Sequence, residues 1–246
     1  MIKMKCVTIA LVALCVLSSG AVLQARASIS LISEKQEIES GKQADAQITK
    51  KYHISTNRRY NNLVNYLGKR LARASDRPDL PWTFRVIDAK DVNAFSVPSY
   101  VYVNTGLINL NGKDQDALAG VIAHEIGHTC GKHAVKQMEK SYIGGILGAL
   151  IGGRNRGVGA LVNVAQNMVM LGYSRDDEND ADKRAVKYTL AAGYDPEGLV
   201  RFFKKLEATE GNGGGGITTY FKTHPPTPDR VNRVEQEIRR QRQDQR

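Results

Sequence analysis

The stretch DALAGVIAHEIGHTC, residues 116–130, constrains the fold more than any other part of this 246-residue chain. It is a strongly apolar run with helical character, and Asp114 stands just before it as a cap. Within the run, His124 and His128 are four residues apart, so on a helix they lie about 40° apart around the axis and share one face. Two imidazole nitrogens can then be directed at one metal ion. Glu125, next to His124, can reach a water on that metal without binding it. This is the logic of H-E-x-x-H: the metal lowers the water's pKa towards ~7 and the glutamate takes its proton. The apolar residues before the pattern argue against a surface helix that happens to carry it.

Zinc needs a third protein ligand and an open fourth position. His133 lies close by in sequence, but a helix continued past His128 would put it about 140° off the ligand face. The metzincin spacing asks for a histidine six beyond His128, where this chain has Ala134. His133 is therefore expected to pack or to hydrogen-bond. The better candidate lies in SRDDENDAD, residues 174–182. There Glu178 can supply a ligand oxygen. Asp182, one turn later, can accept the free ring N–H of a ligand histidine and fix its tautomer. Asp176, Asp177 and Asp180 are read as an acidic first turn complementing the helix dipole.

The remaining pattern is mostly helical. Residues 33–52 and 56–75 have helical periodicity, the second with Ser55 or Thr56 as cap candidate. WTFRVID (82–88) and SYVYVNT (99–105) alternate like strands, with NAFS (93–96) between them, which points to two or three antiparallel strands. Ser174 and Asp177 form a capping-box pattern. Gly193 ends that helix, and Asp195-Pro196 opens another. GNGGGG (211–216) reads as a flexible loop.

Residues 1–27 read as a secretory signal peptide: Lys3 and Lys5, an apolar run from Cys6, then ARA with cleavage after Ala27. Cleavage after Ala21 and an uncleaved anchor are the alternatives. Residues 28–246 form a single domain, with a basic helical tail from about 228. Cys130 is the one cysteine beyond the leader, so no internal disulfide is expected. The formal charge of +10 is high, but the tail's arginines alternate with acids and glutamines. No nucleic-acid motif is present, and no nucleic-acid partner is expected. The glycine-rich apolar segment 142–172 is too short or too interrupted to span a bilayer. It is read either as core helices or as a lid or peripheral membrane contact.

The order NAF, HEIGH with a later histidine, YSRDDENDAD and THPPTPDR resembles the gluzincin metallopeptidases of the HtpX and CAAX-prenyl-protease type, closest to their small exported members. The match runs from about Glu34 to Arg240. It implies an α+β fold, a mostly helical zincin-like domain with a small antiparallel sheet. It also implies one zinc ion held by His124, His128 and Glu178, with Glu125 as general base and Asp182 matching the family's aspartate. SYVYVNTG would be the strand bordering the cleft, with an edge free to pair with a peptide, or else an interior strand. His224 in THPP can hydrogen-bond the oxyanion of peptide hydrolysis, with Tyr173 as a second donor candidate. Arg230 can position His224 or pair with an acid. The expected function is zinc-dependent endopeptidase action on protein or peptide substrates outside the cytoplasm, in the periplasm, serving quality control. The alternatives are a protein-binding assembly factor with latent protease activity and zinc hydrolysis of another bond.

Overall fold

The computed structural model describes residues 31–141, 172–210, 218–225 and 229–244. The leader at 1–27, all of 142–172 except Gly172, and the loop at 211–216 lie outside these residues, and so do the readings placed on them.

Helix α1 (Glu34–Lys51) opens with a reciprocal cap, in which Ser33 Oγ accepts the Gln36 N–H and Gln36 Oε1 accepts the Ser33 N–H. Helix α2 (Arg58–Arg73) is capped by Asn57, whose side chain accepts from the Arg59 and Tyr60 N–H groups. Ser55 sits outside the helix and accepts the Asn57 N–H. Three strands follow: β1 (Thr83–Ile87), β2 (Ala94–Val97) and β3 (Tyr100–Asn104).

The sheet order is β1-β3-β2, with β2 antiparallel to β3 and β1 parallel to it. The sheet is thus mixed, not antiparallel throughout. Pro98 and Ser99 form the tight β2–β3 turn, with Ser99 at a φ of 68°. Residues 88–93 then carry the chain across the end of β3, where Ala89 O accepts from Gly106 N and Thr105 Oγ1, both at 2.9 Å. That crossing puts β1 on the far side of β3. Strand β3 is paired on both flanks, so it is an interior strand and offers no edge for a peptide.

Strand alternation splits the sheet's contacts between two layers. Phe84, Val86, Val101 and Val103 face the main core with Leu67 and Leu71 of α2. Phe95, Val97 and Tyr102 face Ala44 and Ile48 of α1.

Helix α3 (Thr105–Asn111) leads to α4 (Gln115–Cys130), which Asp114 caps by accepting the Ala117 N–H at 3.1 Å. Every residue of α4 from Ala117 to Cys130 is buried. An all-round buried helix must be covered on every side. The sheet and α2 cover one side, and α5 (Arg175–Ala191) and α6 (Glu197–Glu210) cover the other. Gly127 permits the close approach to α5, because a Cβ there would lie 2.8 Å from Ala181 O. Helix α5 begins at the Ser174–Asp177 capping box and stops before Gly193, whose φ is 73°. The short α7 (Thr218–Thr223) and the tail helix α8 (Arg230–Asp244) complete the described elements. No described helix is long and apolar enough to cross a membrane.

Candidate metal centre

One turn of α4 faces one turn of α5, and the donors meet between them. His124 Nε2 and His128 Nε2 are 2.9 Å apart. Glu178 closes the group, with Oε2 at 3.5 Å from His124 Nε2 and Oε1 at 3.4 Å from His128 Nε2. His224, just beyond α7, adds its ring, and donor atoms of all four residues lie within 4.8 Å of one another. All four are buried.

Asp182 Oδ1 is 2.8 Å from His124 Nδ1. An ionised carboxylate only accepts, so Nδ1 carries a proton and Nε2 is the nitrogen turned to the donor group. Arg230, at the start of α8, holds Asp182 with two hydrogen bonds of 2.8 Å and lies 2.9 Å from Glu178 Oε2. Its guanidinium stacks over Phe203 at 4.4 Å. Arg230 therefore pairs with acids, and its contacts are with Asp182 and Glu178 rather than with His224.

Glu125 is fully buried beside this group. Neither of its oxygens has a hydrogen-bond partner, although His224 Nε2 is 3.2 Å from Oε1 in a contact of poor alignment. His224 Nδ1 is 3.1 Å from Glu178 Oε1, and its Nε2 is 3.3 Å from Ala94 O. Tyr220 stacks on the His224 ring at 4.7 Å. Nothing in the sequence pattern marked Tyr220, although it stands four residues before His224, on the short helix that leads to it. Tyr173 lies flat on His128, with ring centroids 3.8 Å apart. Its hydroxyl interacts with Ser96.

The charges ask for a cation. Glu125, Glu178 and Asp182 are three buried carboxylates, and Arg230 is their one permanent positive partner. Burial alone would raise the Glu125 pKa, but the His224 charge overrides it and holds the group at about 2. Burial likewise lowers His224, while Glu178 and then Glu125 push it up to about 10. His128 is driven down to about 4 by burial and then by His124, so its ring is uncharged and its lone pair available. Two imidazoles and a carboxylate whose donor atoms converge on one buried point fit a divalent ion. The nitrogen and oxygen donors suit zinc.

His133 stands outside the donor group, with Nδ1 2.9 Å from His128 Nδ1. Cys130 is buried and unbridged. His53 is exposed beside Asp88.

A family model described as Peptidase family M48 matches residues 58–238. Metalloprotease YcaL of Escherichia coli (strain K12) is 28% identical over 188 residues, covering 70% of this chain and 70% of that protein. The mitochondrial metalloendopeptidase OMA1 of Schizosaccharomyces pombe is 27% identical over 175 residues, or 70% of this chain and 51% of that one. The beta-barrel assembly-enhancing protease of Escherichia coli (strain K12) is 25% identical over 191 residues, 72% of this chain and 39% of that protein. The chain thus spans about half or less of the length of the last two. With the match running from α2 through both metal-site helices to α8, this chain belongs to peptidase family M48.

Proposed function

We propose that the chain is an exported zinc endopeptidase acting on extracytoplasmic proteins, misfolded or envelope proteins among them. The observation that carries this reading is Glu125, fully buried beside the donor group of His124, His128 and Glu178, with the His224 ring 3.2 Å from Oε1. A carboxylate buried at a metal site and adjacent in sequence to a ligand histidine is placed to take a proton from water there.

In this reading His124, His128 and Glu178 hold one zinc ion. Asp182 fixes the His124 ring, and Arg230 offsets the charges of Asp182 and Glu178. When bound, zinc supplies Lewis-acid polarisation of the scissile carbonyl and acidifies a water molecule. Glu125 takes up the proton released in the attack and returns it to the departing amine nitrogen. His224 donates from Nε2 to the carbonyl oxygen as negative charge develops there. Tyr173 is the other candidate for that donation.

A second reading of His224 rests on its Nδ1 lying 3.3 Å from His124 Nε2 and 3.1 Å from Glu178 Oε1. As a fourth ligand it would close the site, as in structural zinc centres, and hold the activity latent. An assembly-factor role with minor proteolysis would then follow. The two readings have opposite consequences: His224→Ala lowers turnover if the residue is an oxyanion donor and raises it if the residue closes the site.

A leader ending at Ala27 exports the chain, and a single metallopeptidase domain begins at Ser28. The beta-barrel assembly-enhancing protease among its relatives supports envelope proteins as a substrate class. The test is cleavage of unfolded casein by the purified, zinc-loaded chain beside Glu125→Gln. The variant should keep its zinc and lose nearly all turnover. Undiminished activity in the variant would overturn the mechanism, and bound zinc without any cleavage in the parent would favour the assembly-factor role.

A further inference from the structure

The ring of His128 has a nitrogen on each side, and only one faces the donor group. Its Nε2 points at His124 and Glu178, while its Nδ1 lies 2.9 Å from His133 Nδ1. On the far side of the His133 ring, Nε2 is 3.1 Å from Asp180 Oδ2 and 3.7 Å from Asp177 Oδ1. Both outer partners are carboxylates, which only accept, so His133 Nε2 carries a proton. In an imidazole with one proton the other nitrogen accepts. His133 Nδ1 must then take a hydrogen bond from His128 Nδ1–H, and the His128 lone pair is left on Nε2.

We infer that His133 is a positioning residue for the metal centre, an imidazole spacer through which Asp180 fixes the tautomer and orientation of His128. The inference rests on the reading of His128 as a zinc ligand. His124 reaches its carboxylate, Asp182, directly. The outer nitrogen of His128, Nδ1, reaches one only through an intervening ring. Asp180 is in turn fixed by Arg184, whose Nε lies 2.7 Å from Oδ2, and Arg184 is held by Asp76 Oδ2 at 2.6 Å. The orientation of His128 is therefore tied to the segment following α2.

Two backbone features build this arrangement. Lys132 has a φ of 55°, so the chain turns after Cys130 and swings His133 back over the last turn of α4. Gly131 leaves the space that the ring occupies: a Cβ there would lie 2.3 Å from His133 Nε2 and 2.7 Å from Asp180 Oδ2. Alanine at 131 would push apart the two groups that hold His128, without touching a donor. His133 itself is buried.

The experiment measures zinc affinity by chelator competition, together with histidine ¹H–¹⁵N NMR of the zinc-loaded chain. His133→Phe, which keeps ring volume and cannot accept, should weaken zinc binding roughly 10- to 100-fold. His133→Gln, whose Oε1 can accept from His128, should restore most of that loss. Gly131→Ala should weaken binding in the same direction. In the unsubstituted protein, NMR should find the proton of His128 on Nδ1 and that of His133 on Nε2. Undiminished affinity in folded His133→Phe, or a proton on His133 Nδ1, would overturn the inference. A His128→Ala control separates the two layers: if it keeps its zinc, the ligand set itself is wrong. If it loses zinc while His133→Phe does not, only the relay is wrong.

Discussion

Arg230 meets Asp182 through two hydrogen bonds, Nε to Oδ2 and Nη2 to Oδ1, each 2.8 Å long. Both side chains are buried, and Arg230 also lies 2.9 Å from Glu178 Oε2. Removing one partner of such a pair strands a buried charge, which costs about 3–5 kcal/mol. Arg230→Met should therefore destabilise the zinc-free protein by that order in urea unfolding. Arg230→Lys should rescue little, because an ammonium cannot reproduce the two-pronged contact. A loss below about 1 kcal/mol for Arg230→Met would mean that solvent screens the pair as it does at a surface.

Glu178 and His133 make different demands on the metal. Glu178 presents an oxygen to the donor group, whereas His133 presents no atom to it. Glu178→Ala should leave the purified protein with far less than one zinc per chain by atomic absorption. His133→Phe should lower affinity yet still load when zinc is in excess. If His133→Phe is the metal-free variant and Glu178→Ala is not, the ligand set proposed here is wrong.

Chelation should abolish turnover and lower Tm together, since donors from α4 and α5 meet at one point. Readdition of zinc at about 100 times its Kd should return about 2.7 kcal/mol of stability relative to the metal-free chain. Scanning calorimetry with and without zinc measures this. Recovery of Tm without recovery of casein cleavage would separate folding from catalysis and favour the assembly-factor reading.

Gly127→Ala tests how closely the two metal-site helices must approach. The added Cβ would meet Ala181 O at 2.8 Å, a backbone atom that cannot move without α5. Overpacking of this kind costs about 1–3 kcal/mol. Because Glu178 and Asp182 flank Ala181, zinc affinity should fall along with stability. Unchanged affinity would show that α5 can shift and keep Glu178 in reach.

The metal-site helices were legible because their signals are local. The four-residue spacing of His124 and His128, the Glu178–Asp182 turn, the Asp114 cap and the Ser174–Asp177 box each depend on helical geometry within a few residues. His133 was legible only as a non-ligand. Its angle was extrapolated along a continuous helix, and the left-handed Lys132 breaks that helix. Alternation marks the strands but not their pairing, because the parallel β1–β3 partnership depends on a loop crossing the end of β3. Arg230 sits at the start of a tail whose other arginines are largely exposed, and only the fold shows that it is buried.

Asp114 links the position of α4 to pH. It caps α4 and accepts from Arg201 Nε at 2.9 Å, Arg201 Nη2 at 3.1 Å and Lys205 Nζ at 3.3 Å, which ties the start of α4 to α6. The Arg201 hydrogen bonds hold its carboxyl at about 2, outweighing a smaller upward push from burial. The ordinary value is ~3.9. A folded-state pKa below the unfolded one means that the charged form favours the fold. This stability is fully present above pH ~4 and is lost as pH falls through about 2. Asp114→Asn keeps a good helix cap and removes only the charge. The variant should be less stable than the parent at pH 7, and the difference should close as both are taken towards pH 2 in denaturant titrations. A difference that stays constant across that range would assign the effect to cap geometry and remove the charge from the account.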